Sequence, residues 1–310
     1  MVQAVKFERP KDAPNLLPFI KYSASLGLPL VEKDCHKGEK CLIVGTGPTL
    51  KNKTVFRQIK SLAKSHVVIG LKESIPYLIS KGIEVTYAVS MDPGGKRQID
   101  RTPAVPGVTY CVASSCHSDF YDHLLENKCQ IEIFHSACGQ GEAHYKKGIL
   151  VNVGGDTHAM IEGEFVVKVM NDDHEVCPVV NLVKNEVDIY RDYFGGDQAV
   201  MCGGFTVTNR ALALAKYMGF DVTMAATDFG WRKMGGSHYC DLVQVDHGDD
   251  AYMTDQGAVD GTPWYTRPDQ LASAVDVAMK VRADELEIIG DTLPSALAKR
   301  DESFLKEIVK

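Results

Sequence analysis

One run constrains this chain more than any other. Cys41-Leu42-Ile43-Val44 is apolar throughout and stops abruptly at Gly45-Thr46-Gly47-Pro48-Thr49-Leu50. A different period follows, with Val55, Ile59, Leu62 and Ala63 at i, i+4, i+7 and i+8, the spacing of one helix face. The pattern predicts a buried strand, a tight turn and a helix. Glycine at 45 and 47 lets the backbone bend and lets a ligand approach the main chain. Pro48 suits a first helical position, where its missing N–H is not needed. The remaining N–H groups, with the positive end of the helix dipole, would favour an anion such as phosphate above Gly45. Leu50 stands where a dinucleotide fingerprint has its third glycine, and no Gly-Lys-Ser/Thr follows. The turn is therefore neither a standard NAD turn nor a P-loop.

The same alternation recurs along the chain. His66–Leu71, Val85–Met91, Val108–Ala113 and Ile131–Phe134 read as strands, with helical patterns at Ile75–Ser80 and His117–Glu126. Ala199 to Met201 resumes as a strand running into Gly203-Gly204-Phe205-Thr206. A helix pattern on Val207, Ala211, Leu214, Ala215 and Met218 follows. Val222–Ala226 ends at Thr227-Asp228-Phe229-Gly230, Pro268–Arg282 reads as a helix, Leu286–Ile289 as a last strand, and Leu297–Val309 as a last helix. Strands separated by helices predict an α/β, Rossmann-like doubly wound fold, with a mostly parallel sheet and helices on both faces. Four prolines in the first stretch mark 1–37 as an N-terminal arm. The domain then spans 38–310 and carries a loop-rich insertion at about 135–198. Ligands of such sheets bind at the carboxyl ends of the strands. Gly45, Asp92, Ser114, Gly203 and Asp228 are expected to gather along that edge.

Composition narrows the function classes. With 310 residues, 45% apolar and 24% charged, the chain suits a globular protein, and no apolar run approaches about 18 residues. Neither a membrane span nor a signal peptide is expected, and the irregular set of nine cysteines fits reduced thiols in the cytoplasm. A net charge of −7 argues against coating nucleic acid. Lys51, Lys53, Arg57, Lys60 and Lys64 read as a solvated helix face, so a nucleic-acid acceptor is not favoured. The histidines between 135 and 174 match no metal-ligand spacing, and no metal ligand is assigned. Asp228-Phe229-Gly230 lacks the strand lysine and His-Arg-Asp that a protein kinase needs.

The order of motifs resembles the DUF115 family, whose members include motility accessory factor glycosyltransferases of flagellins and archaeal 6-hydroxymethylpterin diphosphokinases. More distantly it is similar to family-42 sialyltransferases. Val44-Gly45-Thr46-Gly47-Pro48-Thr49-Leu50 is similar to the family's Gly-x-Gly-Pro-Ser-Leu. Gly82-Ile83 through Asp92, Gly203-Gly204-Phe205-Thr206-Val207, and Thr227-Asp228-Phe229 with Ser237-His238 follow in the family's order. Thr49 stands for the usual Ser, Glu84-Val85 for Pro-Asp, and Ala226-Thr227 for Gly-Gln.

The resemblance implies a transferase using a nucleotide-activated donor and a hydroxyl acceptor, a glycosyltransferase before a diphosphokinase. Nucleotide binding falls to Gly45, Thr46, Gly47, Pro48, Thr49, Ser114, Gly203, Gly204 and Thr206. His238 is the candidate general base, because imidazole titrates near neutrality. Asp92 and Asp228 bind a hydroxyl or Mg²⁺. Two alternatives stand beside this reading: a nucleotide-binding module without chemistry, and a glycosyltransferase acting on nucleic-acid bases.

Overall fold

The computed structural model describes residues 16–136, 182–201, 206–231 and 268–300, with strand segments between 149 and 178 and between 254 and 266. A helix, α1 (Leu17–Ser25), precedes the first strand, β1 (Lys40–Val44). The chain then alternates through α2 (Lys53–Leu62), β2 (Val67–Gly70), α3 (Ser74–Ser80), β3 (Tyr87–Ser90), α4 (Gly95–Arg101), β4 (Thr109–Ala113), α5 (Ser118–Glu126) and β5 (Gln130–Ser136). The insertion adds short strands, β6 (Ile149–Val153), β7 (Asp156–Ile161), β8 (Glu164–Val166), β9 (Lys168–Met170) and β10 (Val176–Pro178), and then α6 (Leu182–Phe194). Regular alternation resumes at β11 (Val200–Met201), α7 (Val207–Tyr217) and β12 (Asp221–Ala225). A hairpin, β13 (Thr254–Val259) with β14 (Thr262–Thr266), leads to α8 (Pro268–Arg282), β15 (Glu287–Ile289) and α9 (Leu293–Leu297).

Eight strands form one sheet in the order β11-β5-β4-β3-β2-β1-β12-β15. Every neighbouring pair is parallel. The expected Rossmann-like α/β sheet is therefore present. Its interior is as apolar as a parallel sheet covered on both faces requires: Cys41, Leu42, Ile43 and Val44 are all 0% exposed. Helix α2 buries Val55 and Ile59, while Lys51, Lys53, Arg57, Lys60 and Lys64 all face solvent.

The chain winds outward from β1 to β5, then returns to the other side of β1 as β12. This places the topological switch point between β1 and β12, where the first strand–turn and the Asp228 loop meet.

Three local readings of the sequence change. Proline at 48 starts a 3-10 turn, Pro48–Lys51, rather than the helix itself. The α-helix begins only at Lys53, where the Asn52 side chain accepts from the N–H groups of Thr54 and Val55. A short helix that the apolar spacing did not reveal, α9, follows a capping box on Thr292 and ends at Leu297; of the expected Leu297–Val309 helix, residues 301–309 lie outside the described residues. The region read as loop-rich contains paired antiparallel strands and the thirteen-residue α6.

His135 belongs to the sheet rather than to the insertion. Its ring stacks on Tyr190 at 4.3 Å and bonds Ser114 Oγ (3.0 Å) and Gln198 Oε1 (2.9 Å). Burial lowers its pKa to about 4, against the weaker opposing effect of the Gln198 bond. The unfolded chain, with histidine near 6.5, binds the extra proton first as pH falls. Stability is therefore expected to be whole above about pH 6.5 and to drop by roughly 3 kcal/mol on the way to pH 4. Urea unfolding across that window, compared with a His135→Asn variant that cannot titrate, checks the slope.

Candidate active site

A cleft of about 310 Å³ opens above the carboxyl ends of four strands. Each contributes the residues that follow its last strand position: Gly45, Thr46 and Gly47 after β1, Leu71 and Lys72 after β2, Met91, Asp92 and Pro93 after β3, and Ala226 to Phe229 after β12. Thr206, Val207 and Thr208 at the start of α7 and Gln270 on α8 complete the wall. Helix α7 lies against β1, β3, β11 and β12. Asn209 ties it to α8 through Ser273 O (3.2 Å) and Asp276 Oδ2 (2.9 Å).

Asp228 is the most perturbed group here. It is 2% exposed, and its Oδ2 accepts both the N–H (3.1 Å) and the hydroxyl (2.8 Å) of Thr49. Burial pushes its pKa up to about 7; the two Thr49 bonds pull the other way, and nearby Asp291 adds to the rise. The surrounding loop is held from outside, with Leu293 N–H donating to Asp228 O and the Thr266 hydroxyl to Phe229 O at 2.6 Å. Ala226 and Phe229 take φ values of 54° and 55°, in the left-handed region that side chains avoid. Of the six non-glycine residues with positive φ among the described residues, Lys72 (φ 50°) is a third on the cleft wall. Such strain persists only where the surroundings enforce it, and it concentrates at functional sites.

The two glycines of the β1 turn have a packing reason. A Cβ on Gly45 would stand 2.5 Å from Ala226 O, and one on Gly47 only 1.9 Å from Asp228 Oδ2. Their N–H groups are also engaged: Gly45 donates to Ala225 O (3.0 Å) and Gly47 to Ala226 O (2.8 Å). Thr49 donates to Asp228 and Leu50 to Gly47 O. The turn thus serves β12 and its carboxylate, whereas the sequence pattern suggested open donors.

Across the cleft, Asp92 Oδ1 accepts from Gly94 N–H at 3.0 Å, and its Oδ2 lies 3.7 Å from Lys72 Nζ. Lys72 was not singled out by sequence, where one lysine among 34 basic residues carries no signal. Its backbone is set by Ser74, whose Oγ accepts from Leu71 N–H and donates to Val44 O (both 2.9 Å), and by Glu73, which pairs with Arg101.

The structure brings Gly45, Thr46, Gly47, Asp92, Thr206 and Asp228 to one cleft, with Thr49 behind Asp228. Pro48 begins the 3-10 turn beside it. Ser114 is not there: fully buried at the end of β4, it bonds His135 and accepts from Ser23. Gly203, Gly204 and His238 lie outside the described residues. No cluster of three or more His, Cys, Asp or Glu suited to a metal occurs among the described residues. Nor is any helix there long and apolar enough to cross a membrane.

The fold and the cleft together define a Rossmann-like α/β protein with a buried carboxylate at the switch point of its parallel sheet. A family model described as "6-hydroxymethylpterin diphosphokinase MptE-like" matches residues 20–173, just under half of the chain, in agreement with the family that the sequence resembles. Among solved structures the chain is similar to the MAf glycosyltransferase from Magnetospirillum magneticum AMB-1, at 12% identity and a TM-score of 0.50. The match covers 95% of this chain and 42% of that one, so the chain spans about two-fifths of that protein's length. It is also similar to a mammalian sialyltransferase, at 11% identity and a TM-score of 0.42, over 91% of this chain and 81% of that one. At these identities the glycosyltransferase likeness is one of fold. No curated protein matches the sequence.

Proposed function

We propose that the protein is a nucleotide-dependent transferase that moves a sugar from a nucleotide-activated donor to a hydroxyl acceptor, with Asp228 as general base. The observation that carries this reading is the buried Asp228 carboxyl, raised to about 7 on the wall of the switch-point cleft. A base is most effective when its pKa lies near the working pH. As the acceptor oxygen attacks the anomeric carbon, Asp228 takes its proton. The bond to the donor phosphate breaks, and the phosphate oxygen leaves with the electron pair. Thr49 holds one carboxylate oxygen through two bonds and leaves Oδ1 for the acceptor. Lys72 is the cation that lines the cleft among the described residues, and its charge suits the developing charge on a leaving phosphate.

A second reading has a specific observation behind it, the diphosphokinase family match. In that case the acceptor oxygen attacks the β-phosphorus of ATP as Asp228 takes its proton, the bond to the oxygen bridging the α-phosphate breaks, and AMP leaves with the electron pair. A magnesium ion arriving with ATP would meet Asp92 and the free oxygen of Asp228, and would neutralise phosphate charge there.

Thermal shifts with CMP-, UDP-, GDP- and ADP-sugars, ATP and CTP find the donor. A donor at 100 times its Kd should stabilise the fold by about 2.7 kcal/mol. Donor consumption then separates the readings. Nucleotide release from a sugar donor, with ATP untouched, is the expected result. Conversion of ATP to AMP with hydroxymethylpterin as acceptor would replace it by the diphosphokinase. If no donor is consumed with any acceptor, the chain is a binding module.

A further inference from the structure

In the turn after β1 the N–H groups of Gly45, Gly47, Thr49 and Leu50 are engaged and Pro48 has none, so the turn offers a phosphate little beyond Thr46. The opposite wall offers more. Helix α7 runs eleven residues and opens onto the cleft at Thr206, Val207 and Thr208. Thr206 caps it, its side chain accepting from Asn209 N–H (3.4 Å) and its carbonyl from Arg210 N–H. The N–H groups of Val207 and Thr208 keep no partner among the described residues, as the first turn of a helix leaves them, and they carry the positive end of its dipole.

Two further observations point to a ligand at this place. Thr227 lines the same cleft and is 4% exposed, yet its hydroxyl has no hydrogen-bond partner among the described residues. A buried hydroxyl left unpaired is costly unless something else fills the place. Lys72, only 14% exposed and held in a left-handed backbone conformation, brings an ammonium to the cleft. At 3.7 Å from Asp92 Oδ2 it is too far for a short hydrogen bond, so its protons remain available while the carboxylate keeps it in place.

The geometry points to a phosphate subsite built from the N–H groups of Val207 and Thr208, the Thr227 hydroxyl and the Lys72 ammonium, with Asp92 as the residue that positions Lys72. Backbone donors, one hydroxyl and one cation suit the phosphate or diphosphate of a nucleotide. The assignment to the donor's phosphate rests on the transferase reading; the anion subsite itself does not.

The test uses the full ¹⁵N-labelled chain titrated with inorganic pyrophosphate. The amide signals of Val207 and Thr208 are expected to shift, that of Thr46 far less. Lys72→Met should weaken pyrophosphate binding about tenfold, the effect of losing a charged hydrogen bond, and Lys72→Arg should largely restore it. Asp92→Asn should change the pyrophosphate affinity only a few-fold while making it more dependent on salt. Shifts confined to Thr46, unchanged affinity in Lys72→Met, or no binding at millimolar pyrophosphate would each overturn the subsite. Pyrophosphate bound at α7 with no donor ever consumed keeps the subsite and removes the transferase. Turnover with shifts only at Thr46 does the reverse.

Discussion

Asp228→Asn is expected to lower turnover about 10²–10⁴-fold, the usual span for a lost general base, and to make the protein more stable at pH 8. Both effects come from one observation. The carboxyl is raised from 3.8 to about 7, chiefly by burial. Between those values the folded state holds a proton that the unfolded state has already released. Wild-type stability is therefore lost as pH rises through this window, and ionised Asp228 burdens the fold by about 4 kcal/mol at pH 8. Asparagine keeps the shape and can still accept from Thr49, but it has no charge to bury. The two proteins should melt alike below pH 4, and the variant should melt higher above pH 7. The wild-type rate should rise with pH through a limb near 7 that the variant lacks. A carboxylate kept for structure would give the opposite stability result, because losing it would weaken the fold at every pH. His238→Ala supplies the competing outcome. If the limb vanishes there and survives in Asp228→Asn, the histidine is the base.

What the sequence made legible follows from how far each signal reaches. Cys41 to Val44 announces a central strand because four apolar residues in succession must be covered on both faces, and the structure puts them at 0% exposure. Gly45, Asp92 and Asp228 could be placed on one edge because each directly ends a readable strand. Lys72 could not, since what brings it to the cleft is a positive φ after β2 and the Ser74 and Glu73 contacts, none of which leaves a pattern in composition. Ser114 shows the converse error. It ends a strand as Asp92 does, but β4 lies one strand further from the switch point than β3, and its neighbour across the sheet is His135. The β1 turn was read as an open cradle because Gly-x-Gly signals close approach without saying of what. Here the approaching groups are Ala226 O and Asp228.

That identification changes what substitution at Gly47 should do. Its φ of −65° is one that any residue adopts, so the turn itself would not be strained. The obstacle is packing: an added Cβ would stand 1.9 Å from Asp228 Oδ2 and 2.8 Å from Ala226 O. The carboxylate can swing aside only by giving up both Thr49 bonds; the carbonyl, fixed in the strand-end hydrogen bond to Gly47 N–H, moves less easily. Gly47→Ala is expected to destabilise the fold by about 1–3 kcal/mol, and Gly47→Val by more. Turnover should fall nearly as far as in Asp228→Asn, because the base is displaced. Donor affinity in Gly47→Ala should stay within a few-fold of wild type if the phosphate sits on α7 and Lys72. Loss of donor binding in a folded Gly47→Ala protein would return the phosphate to the β1 turn. A double-mutant cycle isolates the cause. With Asp228→Ala in the background, the nearest atoms are gone and only Ala226 O remains in the way. The part of the Gly47→Ala cost that comes from the carboxylate should then disappear, and the part that comes from Ala226 O should stay. If instead the two costs simply add, the glycine is required for something other than room for Asp228.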